Sequence, residues 1–178
     1  MPTDILPSII IIAVLLVFSA FFSASETAFS TCNRIKLRSL AEKGHKGAKR
    51  ALKIADAFDK TLTTILIGNN IVNIASTSIT TTLFVMLFGD AGAGIATAVM
   101  TVLVLIFGEI IPKSLAKETA DNGVMWMSVP LKFIMFILTP FSALFTLLKN
   151  GIIKLFNVRS SNTGVTADEL LYIVNEGE

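Results

Sequence analysis

The sequence is short of the residues on which most site chemistry depends. Its 178 residues include one cysteine, one histidine, one tryptophan and one tyrosine. A lone Cys32 cannot close an intrachain disulfide, so nothing marks an oxidising compartment. A lone His45 excludes a histidine-rich zinc or iron centre within one chain. Charged residues make up 16%, against roughly a quarter in soluble domains. No glycine-rich loop of Walker or Rossmann form is present, which leaves nucleotide binding without support. No nucleophile–base pair or catalytic cofactor motif appears, and an enzyme is not expected. No lysine or arginine precedes Arg34, so the first apolar run lacks the basic start of a signal peptide. Ser23-Ala24-Ser25 imitates a cleavage site, but the run before it is long enough to span and basic residues follow it directly. It reads as a retained helix.

What the chain does have is hydrocarbon: 53% of residues are hydrophobic and the mean hydropathy is +0.73. The fold class expected is an all-α integral membrane protein with one membrane domain over 1–148. Three spans are expected at about 5–28, 62–88 and 93–111, each near the roughly 20 residues a bilayer requires. Gly89-Asp90-Ala91-Gly92 makes a tight turn between the last two. Nine of the fifteen basic residues lie between Arg34 and Lys60. By the positive-inside rule that loop is cytoplasmic, the N-terminus is outside and the C-terminus inside. The expected location is the plasma or inner membrane. The loop, 33–60, reads as two amphipathic helices broken at Gly44-His45-Lys46-Gly47, with Ile35, Leu40, Leu52, Ile54, Ala55 and Phe58 free to lie on the membrane or the spans. Its charge is explained by topology and anionic headgroups, so nucleic acid is not an expected partner.

The stretch 124–148 is apolar but contains Lys132, Pro130 and Pro140, with basic residues on both sides. A re-entrant hairpin or an interfacial pair of short helices, bent near Pro140, is expected there; a fourth span is the alternative. Beyond it, 149–178 reads as a juxtamembrane helix and a polar linker. Thr166 and Glu169 then form a capping box that starts a cytoplasmic helix, whose uncovered apolar face points to a soluble domain further on.

One stretch concentrates the polar chemistry, Gly108-Glu109-Ile110-Ile111-Pro112-Lys113. A carboxylate at the edge of hydrocarbon needs a partner, water or an ion. Pro112 has no N–H, so in an α-helix the Gly108 carbonyl loses its hydrogen bond. The plainer reading is a Glu109–Lys113 ion pair at helical spacing. In the second span Asn69 and Asn73 lie one turn apart, with Ser76 and Thr80 continuing the same face; Asn70, Thr77 and Thr81 widen it. The first span carries Ser19, Ser23, Glu26 and Ser30, with Ser25 nearby. The third carries Thr97 and Thr101. Small polar residues are ordinary where membrane helices pack, which is the reading given to Ser76, Thr80, Thr97 and Thr101. Two asparagines near a buried glutamate are less ordinary. With Ser23 and the Gly108 carbonyl they form an all-oxygen set carrying one formal charge. Such a set disfavours copper and zinc and suits Mg²⁺ or Na⁺. Ser25, Glu26 and Asn70 are second candidates, for an ion path or a Na⁺ site. Gly68 and Gly108 are candidate flex points, and Pro112 and Gly68 structural ones.

Three motifs in order carry a resemblance: Phe22-Ser23-Ala24-Ser25-Glu26-Thr27-Ala28, Gly68-Asn69-Asn70-Ile71-Val72-Asn73 and Gly108-Glu109-Ile110-Ile111-Pro112-Lys113. The tail Val165-Thr166-Ala167-Asp168-Glu169-Leu170 adds to them. The chain resembles the transmembrane domain of the CNNM/CorC family of magnesium transporters. The resemblance implies a homodimer of three-span protomers with juxtamembrane helices, one of them belt-like. It also implies Mg²⁺ export driven by Na⁺ entry, with the ion held by Ser23, Asn69, Asn73, Gly108 and Glu109. Family members continue into a pair of CBS modules that bind adenine nucleotide, a region the present sequence does not include. The other expected function is a Mg²⁺-sensing membrane anchor that moves no ions itself.

Overall fold

The computed structural model describes residues 5–155, and all regular structure among them is helical. The expected linker 159–164 and the expected capping box at Thr166 lie outside the described residues. Seven α-helices occur in chain order: α1 Ile5–Thr31, α2 Arg34–Glu42, α3 Lys46–Asp56, α4 Phe58–Phe88, α5 Gly92–Leu103, α6 Ile111–Glu118 and α7 Ala120–Leu155. A 3-10 turn, Gly89–Ala91, joins α4 to α5, and a π-helical segment, Val104–Ile110, joins α5 to α6.

Three helical runs are long and apolar enough to cross a membrane: Ile5–Thr31, Phe58–Glu118 and Ala120–Phe141. The second has 61 residues; straight, it would extend about 90 Å, three times a hydrocarbon core. It folds back instead. Gly89 takes φ +62°, open to a residue without Cβ, and α5 then packs on α4. This run therefore holds the second and third of the expected spans.

The packing is inverted relative to a water-soluble domain. Large apolar side chains along α1, such as Ile9, Val14 and Phe18, are exposed, while Ser19, Ser23, Ser25, Ser76 and Thr80 are buried. Lipid is as apolar as leucine, so helices associate here through small residues and close contact. Gly68 is such a contact: a Cβ there would collide with the tip of the Phe22 ring. Gly68 and Gly108, read from sequence as flex points, both lie inside helical segments against α1 side chains.

The apolar core sits at the end of the bundle where α1 stops and α4 begins. Phe29 of α1 and Leu37 of α2 meet Ala48, Ala51, Ile54 and Ala55 of α3, with Ala116 and Val124 beside them. The basic loop forms two helices, as its pattern predicts. Asn33 caps α2, its Oδ1 accepting the Lys36 N–H at 3.0 Å. Gly44 turns the chain with φ +88°, and His45 caps α3 through Nδ1. Of the apolar positions expected to seek membrane or spans, Ile54 and Ala55 are buried, Leu40, Leu52 and Phe58 pack on the core, and Ile35 is exposed.

The stretch 124–148 departs from its expected form. Neither a hairpin nor a pair of short helices forms; α7 runs unbroken through Pro130 and Pro140. No glycine or asparagine lies between the prolines to reverse the chain. An apolar helix that opened at a proline would expose further backbone groups without water to bond them, so it is tolerated as a continuous helix. Asp121 is anchored beside Asn33 at the end of α1, and Met135 touches Thr61 at the start of α4. From 121 to 135, ~21 Å of helix, α7 therefore lies across the basic end of the bundle. From Leu144 onward the chain forms a second compact unit, described only to Leu155.

Candidate functional site

The π-helical segment sets the geometry of Glu109. The Ile111 N–H bonds the Ile106 carbonyl, five residues back. The Phe107 carbonyl thereby loses its α-helical donor, and the donor it would have in the π register is Pro112, which has none. The freed oxygen derived from sequence was that of Gly108. The Gly108 carbonyl still faces Pro112 where its α-helical donor would be, and the Phe107 carbonyl joins it as a second oxygen without a helical donor.

The plainer reading, a Glu109–Lys113 ion pair, is not what forms. The wider π turn shifts Glu109 relative to the face that carries Lys113. Lys113 Nζ instead lies 3.4 Å from Glu26 Oε2 on α1. Glu109 has no ion pair among the described residues. With Asn73 it lines a cavity of about 290 Å³ between α4 and α5. The other polar lining comes from Thr77, Thr97 and Thr101. Their hydroxyl protons are spent on the carbonyls of Asn73, Ala93 and Thr97, at 2.9, 2.9 and 2.8 Å. What they have left for the cavity is oxygen lone pairs.

A second polar contact joins α1 to α4. Ser19 Oγ donates to Asn69 Oδ1 at 3.1 Å, and a Cβ on Gly108 would come 2.9 Å from the same Ser19 oxygen. Ser19 thus sits between Asn69 and Gly108. Ser23 is one turn further along the same face of α1 and fully buried. Its Oγ, the Ser25 Oγ and the Asn73 Oδ1 are buried without a hydrogen-bond partner. A buried hydroxyl or amide left unmade costs about 1–3 kcal/mol, so two such oxygens within one predicted ligand set are a chemical signal.

The predicted residues therefore fall into two clusters. Asn69 and Gly108 gather at Ser19, and Asn73 joins Glu109 at the cavity. Asn70 does not belong to either: it is exposed and donates to its own helix, to the Leu66 carbonyl at 3.0 Å. Glu26 stands on the basic side of Glu109, engaged by Lys113. Ser19, Thr77, Thr97 and Thr101 are the residues the sequence undervalued. Their helical spacing was visible, yet serines and threonines of a packing seam show the same spacing. Among the described residues no three His, Cys, Asp or Glu side chains converge. A cation held here would meet neutral oxygens and the single Glu109 carboxylate.

Comparison with known proteins agrees with this architecture. Residues 10–178 match the CNNM family, described as the Cyclin M transmembrane N-terminal domain. A UPF0053 protein of Haemophilus influenzae is 37% identical over 94% of this chain and 40% of its own length. The UPF0053 inner membrane protein YfjD of Escherichia coli is 34% identical, over 89% of this chain and 38% of its own. A polyamine export protein of Salmonella typhimurium is 27% identical, over 97% and 42%. The chain thus spans about two fifths of the length of these relatives. It is a multi-pass membrane protein and belongs to the CNNM family, whose transmembrane N-terminal domain it matches.

Proposed function

We propose that this domain carries Mg²⁺ across the membrane, binding the ion partly or fully dehydrated between α1, α4 and the π-helical segment. The observation that carries the reading is the pairing of Asn73 and Glu109 on one cavity, with the oxygens of Asn73 and Ser23 buried and unbonded. Glu109 supplies charge. Asn69, Asn73, Ser23 and the carbonyls of the π-helical segment, Gly108 among them, replace hydration water. Hard neutral oxygens around one carboxylate suit a small hard cation. Export from the cytoplasm, coupled to Na⁺ entry, follows the family resemblance, with the basic layer of α2 and α3 on the cytoplasmic side. Lys113 on Glu26 stands on that side, so an arriving cation competes with the lysine for the Glu26 carboxylate. The working unit proposed is a homodimer in the plasma or inner membrane, continued in the full-length protein by a CBS-type domain. No catalysis is proposed.

Two other readings are held beside it. Some relatives are polyamine export proteins. A polyamine carries several separated charges and calls for several carboxylates, whereas the cavity offers Glu109 alone. The second is a sensor that binds Mg²⁺ and moves nothing. Liposomes containing the protein and an internal Mg²⁺ dye separate the three. Mg²⁺ flux that depends on Glu109 and responds to a Na⁺ gradient supports the exporter. Binding without flux under any gradient favours the sensor, and spermidine flux without Mg²⁺ flux favours the polyamine carrier.

A further inference from the structure

A groove of about 550 Å³ opens between the start of α3 and the first turns of α7. From the α3 side come His45 and Arg50, and from α7 come Asn122, Met125 and Trp126. Its two walls differ in chemistry. Arg50 contributes a guanidinium, exposed and in no ion pair among the described residues. His45 Nδ1 accepts the Ala48 N–H at 3.3 Å, so in the neutral ring Nε2 carries the proton and is a donor. Asn122 adds an amide. No carboxylate is among the described lining residues. Apart from Asn122 the α7 side is apolar, and Trp126 is 73% exposed, a residue type that concentrates where hydrocarbon meets headgroups. Gly47 brings the two helices together: a Cβ there would reach within 3.4 Å of Met125 Cβ.

We infer that this groove binds an anionic phospholipid of the adjoining leaflet. Its phosphodiester meets Arg50, His45 Nε2 and Asn122, and its acyl chains run along Trp126 and Val129. Charge complementarity selects an anion, and the apolar wall selects one that brings hydrocarbon with it. A free phosphate would use half of the groove. The position fits this occupant, since α7 lies across the basic end of the bundle. Lipid bound here would bridge α3 and α7 at the edge of the core.

Trp126 is the single tryptophan of the chain, so its emission reports from the groove itself. The protein is placed in phosphatidylcholine nanodiscs, and brominated phosphatidylglycerol or brominated phosphatidylcholine is titrated in. Half-maximal quenching is expected at about fivefold lower mole fraction of the anionic lipid, the scale set by one basic residue at a membrane surface. Arg50→Gln is expected to erase the preference. Lys53→Gln, the same charge change one turn along α3 but outside the groove, is expected to keep it. Asn122→Ala is expected to weaken the preference about twofold, a second handle if Arg50→Gln alters the emission in pure phosphatidylcholine. Equal quenching by both lipids overturns the inference. So does an equal loss in Arg50→Gln and Lys53→Gln, which would mean a diffuse surface field. Recovery of emission on adding millimolar inorganic phosphate would also overturn it, in favour of a free-anion site.

Discussion

Lys113 is paired with Glu26, 3.4 Å away on α1, and not with Glu109 four residues before it. The carboxylate that lines the cavity is therefore the one without a lysine. Substitutions should separate the two glutamates. Glu109→Gln is expected to lower Mg²⁺ affinity at least about tenfold, since the one charge among the described cavity-lining residues is lost. Lys113→Met should leave affinity within about twofold, as expected for a partly exposed ion pair. Isothermal titration of the purified variants reads both. A large rise in affinity in Lys113→Met would mean that the lysine competes with the ion for the bound site.

Ser19 holds Asn69 in place. Ser19→Ala removes the donor at 3.1 Å and frees the amide to turn. The expected result is a modest stability loss of about 1 kcal/mol together with severalfold weaker Mg²⁺ binding. Ser76→Ala, on the same face of α4 as Asn69 and buried away from the cavity lining, serves as the comparison. Equal effects on binding would count against a role for Ser19 at the site.

Gly68 is a point of contact between α1 and α4. Gly68→Ala is expected to destabilise the protein by about 1–3 kcal/mol, the usual cost of overpacking, because the Phe22 ring has to move. Phe22→Leu in the same chain should recover part of that loss. Thermal unfolding in detergent, run as a double-mutant cycle, gives the coupling. Strict additivity would mean the ring and the glycine do not meet.

The clamp at Asp121 gives stability a pH dependence. Its carboxyl is held below the usual carboxylate range by the Asn33 N–H and by the Lys36 ammonium, both at 2.9 Å. A group whose pKa is lower folded than unfolded stabilises above its unfolded pKa, near 4. That contribution fades as pH falls through the folded value. Asp121→Asn is therefore expected to melt lower than the parent at pH 7, and the gap is expected to close below about pH 4. A gap that stays constant with pH would point to packing as its source.

Much of this architecture is legible in the residues. Apolar length gives α1, α4 and the α5–α6 run, Gly89 marks the reversal, and Gly44 marks the break between the basic helices. The polar seam gives Asn73 and Glu109. What escapes is whatever depends on register or on solvent. Spacing four predicts a Glu109–Lys113 pair only where the helix is α, and the π turn before Pro112 alters that. Pro130 and Pro140 read as breaks by the rules of water, where a freed carbonyl finds a partner; in an apolar setting the helix persists. Ser19 is hidden for a different reason: one more serine on a packing face looks like every other until the Asn69 oxygen is seen against it.

The clamp between Asn33 and Asp121 joins residues 88 positions apart, and that distance sets an order of manufacture. Synthesis delivers α1, α2 and α3 well before α7. Contacts so distant in sequence form late, because the intervening loop has to close first. Val124 and Leu131 belong to the same buried cluster as Leu37, Ala48 and Ala51. The growing chain thus completes this cluster only once α7 has been made.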